Sequence, residues 1–86
     1  MHFTVSEDMW EAEKLGLLDT SRQFKTLQEV VGYVKTTPYQ THQVSVTEWD
    51  DDNLDGYGCP EITGSMVLEE VLFEMEKNPN FNSIPG

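Results

Sequence analysis

Residues 49–62, WDDDNLDGYGCPEI, hold the densest group of oxygen-bearing, metal-ligating side chains in the chain. Asp51, Asn53, Asp55 and Gly56 stand in the order D-x-N-x-D-G, which is how a calcium-binding loop begins. Carboxylate and amide oxygens are the ligands that Ca²⁺ prefers in proteins. The first question is therefore whether this segment binds a metal or whether its charge has another use.

The rest of the segment does not complete a calcium loop. With Asp51 as position 1, the position that normally supplies a bidentate glutamate is Ile62, and Glu61 falls one residue early. The residues before the loop are predicted to form a strand, whereas a loop of this type follows a helix. We therefore predict no required metal here, and a calcium-responsive module is retained only as an alternative.

The remaining candidate groups for catalysis are one cysteine, Cys59, and two histidines, His2 and His42. They cannot supply four zinc ligands, and no spacing places the thiol beside a base that a carboxylate orients. The sequence also lacks a glycine-rich phosphate loop. We predict a protein that is not an enzyme and uses no cofactor.

A single cysteine favours a reducing compartment. We therefore expect the protein in the cytoplasm, and in that of the host cell if the chain is viral.

The charge of the chain is large and unevenly distributed, with sixteen acids against five bases and a net charge of −11. Residues 1–47 hold six acids and four bases (−2), whereas residues 48–86 hold ten acids and only Lys77 (−9). Such a field disfavours direct binding to nucleic acid or an anionic membrane and favours a basic protein surface. No apolar run is long enough to predict a membrane span, and the N-terminus lacks a signal-peptide pattern.

The hydrophobic spacing predicts one α+β domain over residues 1–86. Residues 2–5 and 43–49 alternate apolar and polar side chains and predict short strands, with an aspartate-rich loop after the second. Ser6 before two acids predicts the start of a helix that ends near Lys14. A third strand is left open, and the strands are expected to be antiparallel.

The clearest helix signal is the capping box Thr26-Leu27-Gln28-Glu29. It is followed by apolar residues at helical spacing, namely Leu27, Val30, Val31 and Val34. A third helix is predicted from about Met66 to Lys77, capped by Thr63 or Ser65. Residues 78–86 are predicted to be an irregular tail whose Phe81 and Ile84 can dock. The prediction is two or three short antiparallel strands packed with about three helices.

The acids are spaced so that they repel one another. Glu70 and Glu74 are four residues apart, as are Glu7 and Glu11, and each such pair costs a helix about 0.2–0.5 kcal/mol. Solubility alone needs a net charge of only about 2–8 in magnitude. We therefore interpret the negative field as functional.

On a helical projection, Met66 and Phe73 face away from the predicted core stripe and are flanked by glutamates. Either the tail covers Phe73, or the pair is an apolar anchor inside a charged rim, as in interaction hot spots. The residues predicted to contact a partner are Glu48, Asp50, Asp51, Asp52, Asp55, Met66, Glu69, Glu70, Phe73, Glu74 and Glu76.

Carboxylates about 5–6 Å apart on a helix approach the spacing of phosphates along a nucleic-acid strand. Small inhibitors encoded by phages and mobile elements, directed against restriction enzymes, CRISPR effectors or other DNA-binding proteins, are similar to this chain in size and charge. We hypothesise a DNA or RNA mimic that occupies the basic nucleic-acid-binding groove of a host protein and does not itself bind nucleic acid. The main alternative is an acidic adaptor for one basic protein; the oligomeric state, including a dimer, stays open.

Overall fold

The structure, a computed structural model, describes residues 1–7, 16–54, 56–58 and 60–84. In chain order the elements are β1 (His2–Glu7), α1 (Leu27–Lys35), a 3₁₀ turn (Thr41–Gln43), β2 (Val44–Leu54), β3 (Pro60–Val67) and α2 (Leu68–Lys77). The strands form one antiparallel sheet with β2 in the middle. An α+β fold is thus confirmed, but the described residues contain two α-helices where about three were predicted.

Strand β1 follows the predicted alternation and then continues beyond it. Phe3 and Val5 are buried on the face that packs against the helices. Ser6 and Glu7 pair with the first two residues of β2, so they extend the strand. The predicted helix start at Ser6 is therefore wrong, and the remainder of that predicted helix lies in residues 8–15, outside the described part of the chain.

Helix α1 begins at the predicted cap, Thr26, and one of the two hydrogen bonds of the predicted capping box is confirmed. The backbone N–H of Glu29 donates to Thr26 Oγ1 at 3.2 Å, and the Glu29 carboxylate accepts from the backbone N–H of Lys25 at 3.0 Å. The second bond therefore reaches one residue further towards the N-terminus than a standard box. The apolar stripe faces the core through its fully buried members Leu27, Val30 and Val34, while Val31 is only partly buried at its margin.

Replacing Val30 by alanine is expected to lower the free energy of unfolding by about 1–3 kcal/mol, because a fully buried side chain leaves a cavity. Val31→Ala removes the same atoms from a partly buried position and should cost clearly less. Urea denaturation of both variants measures the difference. Equal losses would show that Val31 lies as deep in the core as Val30, and that the helix is rotated accordingly.

The aspartate-rich segment is where the sequence prediction is wrong. Asp50 to Leu54 belong to β2 instead of a loop, and residues 60–67 form a third strand instead of a loop and helix start. Asp50 lies opposite Glu61 and Leu54 opposite Pro60, so pairing with β3 at both ends of the segment outweighs the poor strand propensity of aspartate, while residues 51–53 lie in a register shift between the two pairs. Thr63 and Ser65 consequently lie within a strand, and α2 begins after Val67 with no side-chain cap.

The structure also shows where the C-terminal tail and Met66 lie. The tail after α2 has no regular structure through Ile84 and docks as predicted, because Ile84 is buried in the core and Phe81 packs against it. Met66 lies in β3 opposite Val46 and packs against the same core. Its predicted position beside Phe73 on the outer face of a helix is therefore corrected.

None of the helices in the described residues is long and apolar enough to cross a membrane.

Candidate interaction surface

The outer face of α2 combines an exposed aromatic ring with carboxylates. Leu68 and Val71 are buried against the sheet, so helical periodicity turns Phe73 to the opposite side. Phe73 is 56% exposed, because the tail docks through Ile84 and leaves most of this side chain accessible. Of the two alternatives for Phe73, the structure shows the exposed one.

The glutamates around Phe73 keep their charge uncompensated. Three of them are exposed and Glu74 is half-buried, and none forms an ion pair with any residue that the structure describes; the four are Glu69, Glu70, Glu74 and Glu76. The one base of this helix, Lys77, lies with its Nζ 4.2 Å from the centroid of the Phe73 ring. Four glutamates and one lysine leave the helix with a charge of −3. We call Phe73 and these four glutamates the α2 face.

A second acidic group lies where β2 and β3 approach their connecting turn, and we call it the hairpin end. It consists of Asp50, Asp51, Asp52 and Glu61, all exposed except the half-buried Asp50. Asp50 and Glu61 are direct cross-strand partners, an arrangement of like charges that destabilises a sheet. Glu61 was not among the predicted contact residues, because recognising it requires knowing that residues 60–67 pair with β2.

Asp51 differs from its neighbours because the N-terminus contacts it. The amino group of Met1 lies 2.8 Å from one carboxylate oxygen, and Nδ1 of His2 lies 2.6 Å from the other. The His2 ring stacks on Trp49, with centroids 6.0 Å apart and planes 7° apart. The hydrogen bond from the amino group holds the pKa of Asp51 below its usual range, and Asp51 in turn raises the pKa of that amino group.

These two shifts predict how stability depends on pH. The ionised Asp51 is favoured by the fold, so its contribution is present above about pH 4, the pKa of an unfolded aspartate, and is lost as pH falls through the lower folded value. The amino group contributes below about pH 8, its unfolded pKa, and this part is lost as pH rises through the raised folded value. The denaturation midpoint should thus decline at both ends.

The matched variants for this prediction are Asp51→Asn and Asp52→Asn. Asp51→Asn should flatten the alkaline decline and reduce the acid one. Asp52→Asn should leave the acid decline unchanged and reduce the alkaline one much less, because Asp52 acts on the amino group only through its charge and forms no ion pair with the described residues. Denaturation midpoints measured from about pH 3 to 10 provide the comparison. Identical profiles for the two variants would show that the amino group does not hold Asp51.

Glu48 was predicted to contact a partner, but the structure places it inside the fold. Its side chain is 2% exposed. The carboxylate accepts hydrogen bonds from the Ser83 hydroxyl at 3.0 and 3.1 Å and from the backbone N–H of Ile84 at 2.6 Å. Glu48 therefore fastens the C-terminal segment to the sheet, and the prediction that it contacts a partner is corrected.

One of the proposed calcium ligands already has other partners in the structure. Asp51, which would be the first ligand, is a strand residue bonded to the N-terminus. Asp55 and Cys59 lie outside the described residues, as does the side chain of Asn53. In residues 1–7, 16–54, 56–58 and 60–84, no three or more His, Cys, Asp or Glu side chains are grouped so that they could hold a metal ion.

No protein-family model, curated protein or solved structure matches this chain. The two acidic groups are therefore the features from which a function can be inferred. The structure brings together Glu69, Glu70, Phe73, Glu74 and Glu76 on α2, and Asp50, Asp51 and Asp52 at the hairpin end. It separates Glu48 and Met66 from both groups.

Proposed function

We propose that this chain is a non-enzymatic acidic inhibitor that occupies the basic, nucleic-acid-binding groove of a partner protein. The observation that carries the proposal is the α2 face, where four glutamates surround the exposed Phe73 and form no ion pair with the described residues. Charges without counter-ions extend their field into solvent, and such a field attracts a basic surface and accelerates association with it.

The arrangement of the charges supports mimicry in particular. Glu70 and Glu74 are one turn apart, about 6 Å along a rigid helix. Lysine and arginine side chains that hold phosphate oxygens also bind carboxylate oxygens by charge-assisted hydrogen bonds. The hairpin end adds a second acidic group, at the end of β3 opposite to the one from which α2 begins. We infer that the protein acts in the cytoplasm, as an anti-restriction or anti-CRISPR type of inhibitor from a phage or mobile element.

The function is tested by competition. The partner is first captured at low salt with and without added nucleic acid, and fluorescence anisotropy then measures whether the chain displaces labelled DNA or RNA from it. We expect displacement that weakens as salt rises, because surface charges are screened. A partner that binds the chain and its nucleic acid at the same time would instead support the acidic adaptor.

A matched pair of variants separates the α2 face from net charge. Glu70→Gln with Glu74→Gln changes the net charge from −11 to −9, and so does Gln23→Lys with Gln28→Lys on exposed positions near α1. We expect the first pair to weaken displacement about tenfold or more and to reduce its salt dependence, because it removes contacts as well as field. The second pair should have a much smaller effect. If both pairs weaken displacement equally, binding depends on the net charge of the chain and not on the α2 face.

A further inference from the structure

The two edges of the sheet differ in how they are protected. At the β1 edge, Phe3 and Phe24 exchange backbone hydrogen bonds of 2.7 and 2.8 Å, which cover the first part of that strand. At the β3 edge, no described residue forms a backbone hydrogen bond with the outer side of residues 62–67. A strand edge of this kind presents a row of N–H and C=O groups to which another chain can add.

The usual protective features of an edge strand are present only in the first half of β3. Pro60 begins the strand, and Thr63 is the extra residue of a bulge, because Glu48 pairs with Gly64 and Trp49 with Ile62. From Gly64 to Val67 the register with β2 is regular. Gly64 has no side chain and Ser65 a small one, so another backbone can approach closely. Ile62, which is 59% exposed, offers an apolar contact beside this stretch.

Charge determines what can pair with this edge. Acids lie at both ends of β3, with Asp50 and Glu61 at its start and Glu69 and Glu70 just after its end, while residues 62–67 are uncharged. Two copies of this chain paired antiparallel through the middle of β3 would place Glu61 of each copy beside the glutamates of the other. Like charges therefore oppose self-association, whereas lysine or arginine at both ends of an added strand would be attracted.

We propose that the outer edge of β3 receives an extended basic segment of the partner protein as a fourth strand of the sheet. The inference rests on the proposed function in one respect, that the partner is basic. The six residue steps from Glu61 to Val67 span about 20 Å. The fitting segment therefore has basic residues at both ends and uncharged, strand-forming residues between them, so that backbone hydrogen bonds provide the pairing and the charges provide the selection.

The test uses the full chain and a nine-residue synthetic peptide with two lysines at each end and alternating threonine and valine between. The control peptide has the same charges but carries two prolines in place of a central valine-threonine pair, which removes N–H groups on both of its edges. We expect the first peptide to shift the backbone amide resonances of residues 64–67 and to slow their hydrogen exchange. The control should bind at least tenfold more weakly.

The outcomes separate this inference from the proposed function. Equal binding of the two peptides, no binding of either, or shifts outside β3 would overturn the fourth strand. The competition with nucleic acid is unaffected by that result, because it measures occupancy of a groove by the whole chain. Conversely, selective binding of the strand-forming peptide supports the edge as a docking site even if the chain displaces no nucleic acid.

Discussion

Replacing Glu48 with alanine is expected to lower the free energy of unfolding by about 3 kcal/mol, a loss at least as large as that expected for Val30→Ala. The carboxylate is buried and accepts two kinds of hydrogen bond from the tail, one from the Ser83 hydroxyl and one from the Ile84 backbone. Hydrogen bonds to a charged group contribute about 1.5–3 kcal/mol each, and a buried N–H left without an acceptor adds a penalty. Ile84 should leave the core together with the tail.

Two variants test this explanation alongside Glu48→Ala. Glu48→Gln keeps one acceptor oxygen at nearly the same volume, so it should lose less than alanine. Ser83→Ala should lose about 1–2 kcal/mol alone, and less when Glu48 is already alanine, because the two residues share one interaction. Urea denaturation gives the stabilities, and hydrogen exchange of the Ile84 amide reports the tail. Unchanged stability of Glu48→Ala would make this carboxylate available for a partner after all.

Local signals in the sequence predicted the elements that depend on local interactions. The capping box, the apolar stripe and the Thr-Thr-Pro end of α1 all act within a few residues. The helix therefore forms where it was predicted, and the hydroxyls of Thr36 and Thr37 cap the last carbonyls, at 2.6 Å each. The alternation of β1 is equally local, and it predicted the burial of Phe3 and Val5.

The errors concern features that depend on distant pairing. Aspartates 50–52 have poor strand propensity, so the sequence predicts a loop. The pairs Asp50–Glu61 and Leu54–Pro60 lie on either side of Asp51 and Asp52, and β2 continues through them. The contact of Asp51 with the N-terminal amino group depends on the register of His2 against Trp49, which no local pattern specifies. In both cases the outcome is set by pairing between segments that are distant in the sequence.

Glu48 is different, because a signal for its burial was present in the sequence. Val44 and Val46 alternate inward, and the same period of two carries residue 48 to the core face. A charged side chain is expected at the surface, so the sequence analysis placed Glu48 there. The sequence did not reveal which groups would donate hydrogen bonds to a buried carboxylate. Those donors come from the tail, thirty-five and thirty-six residues further along the chain. The acids of α2, by contrast, are on the outer face because helical periodicity alone places them there.

Phe73→Ala is expected to weaken association with the partner by about 2 kcal/mol while changing stability little, because the ring is more than half exposed and is surrounded by charges. The position of Lys77 adds a second expectation with the opposite sign. In the free chain its ammonium group lies over the face of the Phe73 ring, at a distance typical of cation–π contacts. A basic side chain of the partner must displace it, so Lys77→Gln should tighten binding about two- to fivefold, the equivalent of roughly 0.5–1 kcal/mol.

Each variant has a matched control. Leu17→Ala removes another exposed apolar side chain, 58% accessible and outside both acidic groups, and should leave binding unchanged. Lys35→Gln makes the same change in net charge as Lys77→Gln but at an exposed position on α1, so it should tighten binding only slightly. Dissociation constants at two salt concentrations, with thermal melts of every variant, complete the test. A Phe73→Ala protein that melts many degrees lower yet binds normally when folded would assign this ring to the core, and equal tightening by both lysine variants would attribute the effect to net charge.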